Sequence, residues 1–124
     1  MDRVAIVIGE IQLEAEIFDT PTGMAILQAL PLFGKANLWG NEIYFPVPLQ
    51  LSPEADAVDV VRVGDLAYWP EGKAFCIFFG PTPVSKGEEI RAYGPVNVFG
   101  RIKGHPEILK KVPQGAEITV RRLD

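Results

Sequence analysis

The segment that most constrains the fold runs from Gly64 to Pro83, where two apolar, aromatic-rich runs flank a Pro70-Glu71-Gly72 turn. Leu66-Ala67-Tyr68-Trp69 precedes the turn, Phe75-Cys76-Ile77-Phe78-Phe79 follows it, and Gly80-Pro81-Thr82-Pro83 makes a corner. Runs this short, bounded by turn residues and rich in aromatics, read as the two strands of a β-hairpin. Large aromatics crowded around one turn can also wall a pocket for an apolar or planar ligand. No nucleophile, metal cluster or phosphate loop accompanies them.

Strand signals dominate elsewhere. Val4–Ile8 is continuously apolar, Gly9-Glu10 turns the chain, and Ile11–Phe18 alternates apolar and polar with period two. Asp19 or Thr20 can serve as N-cap, with Pro21 at the first helical position and a helix through Met24–Leu30 that Pro31 bounds. Asn37–Phe45 reads as strand, with Pro46 and Pro48 at an edge or corner and a loop from Leu49 to Ala57. Val58–Val63 and Val96–Ile102 are further strands, with a loop through Lys86–Glu89 between the hairpin and the latter. Pro106–Val112 makes about two helical turns and Ala116–Arg121 a closing strand. The expected fold is mainly β: one domain over residues 1–124, a closed antiparallel barrel of about eight strands with one or two capping helices. Closure would leave no edge strand with unpaired backbone groups.

Charge and residue counts narrow the function. A net charge of −4 argues against nucleic acid, which is bound through a basic footprint. The Lys and Arg gathered from Arg91 to Arg122 read as a solvated edge. No apolar run approaches the ~20 residues that span a bilayer, and the N-terminus lacks the marks of a signal peptide. A cytoplasmic protein without membrane or nucleic-acid partners is expected. The single cysteine, Cys76, lies between Phe75 and Ile77 and reads as a buried thiol. With one histidine, His105, and two serines in loops, Ser52 and Ser85, a hydrolase triad has no natural members. No carboxylate spacing resembles a calcium loop, and no cofactor is expected.

Three segments resemble the cyclophilin fold: Val4–Leu30 as strand, turn, strand and proline-started helix; Gly64–Phe79; and Val98-Phe99-Gly100-Arg101-Ile102 followed by a helix and a last strand. Asn37-x-Trp39-Gly40-x-Glu42-Ile43-Tyr44-Phe45, Gly64-Asp65-x-x-Tyr68-Trp69-Pro70-x-Gly72 and Phe78-Phe79-Gly80-x-Thr82-Pro83 are similar to an atypical, minimal prokaryotic cyclophilin-like family, largely uncharacterised. The resemblance implies peptidyl-prolyl cis-trans isomerase activity or binding of a proline-containing peptide. In cyclophilins an arginine on the strand after the first helix donates to the twisted amide. This chain has no arginine between Arg3 and Arg62, and the position of the family's histidine is taken by Val96. Only the aromatic floor, Phe78 or Phe79, carries over, so any isomerase activity would be weak.

If strand 41–45 alternates, Ile43 and Phe45 face the core while Glu42 and Tyr44 share the other face. The candidate ligand-binding residues are Trp39, Glu42, Tyr44, Tyr68, Trp69, Phe78, Thr82 and Asn97. No catalytic residue is assigned. Three roles stay open: weak isomerase or proline-peptide binder, small-molecule binder or enzyme using the aromatic and Glu42 cluster, and structural or oligomer-interface protein. The oligomeric state also stays open.

Overall fold

A computed structural model describes residues 1–123. The opening hairpin is formed by β1 (Asp2–Ile8) and β2 (Ile11–Ile17). Helix α1 (Pro21–Ala29) follows, with Thr20 as N-cap accepting from Gly23 N at 3.0 Å and Pro21 in its first turn. This satisfies one of the free N–H groups of the first turn. Pro21 is the first helical residue, as its fixed φ after the Thr20 cap predicts, and the helix ends at Ala29, one residue before Leu30. Pro106–Lys111 is a 3-10 helix with Leu109 buried beneath it.

The strands are β3 (Leu32–Lys35), β4 (Asn37–Trp39), β5 (Glu42–Pro46), β6 (Val58–Val61), β7 (Asp65–Trp69), β8 (Ala74–Phe78), β9 (Ile90–Lys103) and β10 (Glu117–Arg122). Every pairing is antiparallel. The sheet has ten strands in the order β3-β10-β1-β2-β9-β7-β8-β5-β4, with β6 attached to β9 alone.

This corrects the expectation of about eight strands closed into a barrel. Among the described residues no ladder joins the two ends of the path, β3 and β4. The ends nevertheless adjoin in the chain, where Ala36 alone separates β3 from β4, and β3 also meets β5 through a side chain. A β-carbon at Gly34 on β3 would stand 2.5 Å from Cδ2 of Phe45 on β5, so the glycine lets backbone rest on that ring. Two strands account for the difference in count. β3 follows Pro31 with only Leu32 and Phe33 as apolar residues and gives a weak periodic signal. The expected single strand over Asn37–Phe45 is a hairpin, broken at Gly40-Asn41.

Alternation sorts the side chains of β5, β7 and β8 onto two faces. Ile43, Phe45, Leu66, Tyr68, Phe75 and Ile77 belong to the main core with residues of β1, β2, α1 and β10. Phe75 stacks on Phe45 at 5.1 Å between centroids and meets Phe99 of β9 edge-on at 5.1 Å. Ala67, Ala74, Cys76 and Phe78 face away from that core into a smaller apolar cluster with Val61, Ile90, Ala92 and Val96. The central hairpin is thus covered on both sides. Its turn packs tightly: a β-carbon at Gly72 would fall 2.3 Å from the Trp69 ring. Among the described residues no helix is long and apolar enough to cross a membrane.

Candidate functional site

A cavity of about 130 Å³ opens on the smaller cluster. One wall is the outward face of the sheet. Glu42 and Tyr44 come from β5, Cys76 from β8 and Trp69 from β7, while Trp39 on β4 is the cross-strand partner of Glu42. Tyr44 pairs with Cys76 across β5 and β8, so the hydroxyphenyl group and the thiol share that face.

The opposite wall comes from an irregularity in β9. Val58 of β6 pairs with Val96, yet Val60 pairs with Arg91, so the chain between Arg91 and Val96 bulges out of register. Bulges re-aim side chains that a regular strand would align. Here Ala92 and Val96 line the cavity from the bulge and its end, and Tyr93 stands at the rim, 68% exposed. Tyr93 meets Trp39 and Trp69 edge-on, with centroids at 6.0 and 5.6 Å and an interplanar angle of 71° in both pairs.

Hydrogen bonds hold both ends of the bulge. The Thr82 hydroxyl donates to the Arg91 carbonyl, and Ser85 Oγ accepts from Arg91 N at 3.0 Å and from Thr82 N at 2.9 Å. At the other end, Asn97 Oδ1 accepts from Glu54 N at 2.8 Å. Its Nδ2 donates to Ser52 O and to Thr22 Oγ1, each at 3.1 Å. The Gly-Pro-Thr-Pro corner and the loop before β6 therefore fix where the aromatic rim sits.

Glu42 sets the electrostatics. It is 5% exposed, and burial pushes its carboxyl up to about 7, partly offset by the neighbouring Cys76 thiol. Cys76 is pushed well above the ordinary thiol range, first by burial and then by the nearby Glu42 charge. Among the described residues, no lysine, arginine or histidine lies on the cavity wall. Trp69 Nε1 is buried without an acceptor.

Four sequence-derived candidates, Trp39, Glu42, Tyr44 and Trp69, come together on this wall. The other four lie elsewhere. Tyr68 is in the main core, its hydroxyl donating to Leu49 O at 2.7 Å and accepting from Leu51 N at 3.2 Å. Phe78 fills the smaller cluster behind the cavity. Thr82 and Asn97 spend their polar atoms on the bonds described above. Cys76, expected only as a buried thiol, also lines the cavity, and Ala92, Tyr93 and Val96 were missed as site residues because the strand was expected to begin only at Val96. The alternation Ile90-Arg91-Ala92-Tyr93 was a usable signal, masked by Gly94-Pro95. His105 lies on the surface, 3.5 Å from Glu107. Among the described residues, no group of three or more His, Cys, Asp or Glu could hold a metal ion.

The chain matches the family described as Cyclophilin-like over residues 2–121. The chain belongs to the cyclophilin-like family. Its similarity to a hypothetical protein from Archaeoglobus fulgidus, known from a solution structure, is 41% identity over 98% of this chain and 95% of that one, with a TM-score of 0.83. A structure of McbB in complex with tryptophan shares the cyclophilin-like fold at 18% identity and a TM-score of 0.69. That match covers 96% of this chain and 44% of McbB. No curated protein matches the sequence.

Proposed function

We propose that this cyclophilin-like chain is a binding module for a small organic molecule, seated in the cavity between the central hairpin and the bulge of β9. The observation that carries this reading is an aromatic-walled cavity with a buried carboxyl inside it. A buried carboxyl without a cation is costly in a purely structural role. A buried indole N–H without an acceptor adds to that cost. A bound ligand would supply the partner that the buried carboxyl lacks. The volume speaks to size: an apolar cavity of about 150 Å³ takes up a benzene molecule, so this one suits a single ring. McbB, solved with tryptophan, shares the fold, and its ligand is also a ring-bearing small molecule.

The isomerase reading has less support. Its transition-state donor is an arginine, and the wall has none. The carbonyl oxygen of an X-Pro bond would meet another acceptor when Glu42 is ionised.

Both tryptophans of the chain, Trp39 and Trp69, lie on the wall. Intrinsic fluorescence is therefore a direct reporter. Titration with a panel of single-ring compounds should shift or quench it saturably, and Ala92→Phe, which fills the cavity, should abolish the change. If no compound in the panel alters either the fluorescence or the melting temperature at millimolar concentration, the proposal fails.

A further inference from the structure

The wall of the cavity has a chemical bias that narrows the ligand class. Among the described residues Glu42 is its only carboxyl, and it is 5% exposed. The titratable groups facing it are Tyr44 from its own strand, Cys76 from β8 and Tyr93 from β9. None of these brings a positive charge. Around the carboxyl stand four aromatic rings, whose π-faces also attract cations. A carboxylate and aromatic faces in one water-poor site favour the same thing, a positive charge on an apolar body. A neutral hydrocarbon would leave the carboxyl desolvated and unpaired. An anion would meet like charge.

Resting on the reading of the cavity as a small-molecule site, we propose that its ligand is a small protonated amine. Its ammonium would pair with Glu42 and its single ring or branched carbon skeleton would pack against Trp39, Tyr44 and Trp69. The size limit follows from the same cavity volume. Tyr93, exposed at the rim and edge-on to both indoles, closes over the ring from the solvent side.

Piperidine and tetrahydropyran test this, since they match in size and only piperidine is cationic near neutral pH. At about pH 8, where Glu42 is ionised, piperidinium should bind about tenfold more tightly than tetrahydropyran, read by tryptophan fluorescence or by amide chemical shifts. Glu42→Gln should erase the preference. At about pH 5, where Glu42 is protonated, the preference should also shrink. Equal or tighter binding of tetrahydropyran overturns the amine assignment while the small-molecule reading stands. A preference that survives Glu42→Gln overturns it as well. Binding of neither probe overturns the amine assignment, and the small-molecule reading falls with it only if the whole single-ring panel also fails to bind. A lysine side chain offers the same ammonium from a peptide, so tighter binding of Nα-acetyl-lysine amide than of piperidinium overturns the small-amine assignment.

Discussion

Replacing Glu42 with glutamine should make the protein more stable at alkaline pH and leave its stability nearly unchanged in acid. The folded chain holds this carboxyl's proton up to about pH 7, whereas its ordinary value is 4.5. Between those two values the folded state carries a proton that the unfolded state has released. Stability therefore falls as pH rises through this window, and the loss is complete above it. The full difference corresponds to roughly 3 kcal/mol. Glutamine has nearly the same shape and cannot ionise, so it escapes that loss. Urea denaturation of both proteins from about pH 4 to 8 should show curves that coincide in acid and separate by up to about 3 kcal/mol at the alkaline end. For a chain of this size that is a rise of about 10 °C in melting temperature. Glu89, held below the ordinary carboxylate range by its hydrogen bond to Arg91, pulls the slope the other way. It is present in both proteins and cancels in the difference. A gap that stays constant across the pH range would refute the view that Glu42 is buried without a compensating cation.

Asn97→Ala should cost about 1–3 kcal/mol in chemical denaturation, because it removes three hydrogen bonds, to Glu54 N, Thr22 Oγ1 and Ser52 O, at one point. Gly34→Ala should destabilise by roughly 1–3 kcal/mol, since its methyl group would press on the Phe45 ring; a loss below about 0.5 kcal/mol would mean that β3 is free to move away. Tyr68→Phe should lower stability by about 1 kcal/mol through the loss of its bonds to Leu49 and Leu51. The same variant should leave ligand-induced fluorescence changes as they are, because Tyr68 faces the main core. In a protease-coupled assay on an X-Pro peptide, the wild-type chain should give no acceleration even at high concentration, and measurable catalysis would restore the isomerase reading.

Local signals made much of this fold legible. Thr20-Pro21 announces α1, the period-two run from Ile11 announces β2, and the turn at Pro70-Glu71-Gly72 announces the central hairpin. Alternation also separated Ile43 and Phe45 from Glu42 and Tyr44, the two residues of β5 that line the cavity. The rest depended on long-range pairing. β3 exists because β10 is there to pair with it, and nothing within Leu32–Lys35 says so. The rim escaped for a related reason. A bulge is defined by what opposes it, here Val58–Val60, and Gly94-Pro95 taken alone resembles a loop. Tyr68, Thr82 and Asn97 were attractive as polar or aromatic residues near the right segments. Their hydrogen bonds to the loop before β6, to α1 and to the start of β9 became visible only in three dimensions.

The two-sided central hairpin has a consequence for how relatives of this chain can diverge. Odd and even positions along β7 and β8 answer to different selective pressures, because Leu66, Tyr68, Phe75 and Ile77 build the main core while Trp69 and Cys76 address the cavity. A substitution on the cavity side leaves the main core's side chains in place, so the cavity wall can change one residue at a time on an unchanged framework. A single-residue insertion within either strand has the opposite outcome, since it would exchange the two sets and ruin both at once. Diversity among homologues should therefore accumulate as point changes at alternate positions of this hairpin, while its length from Asp65 to Phe78 stays fixed.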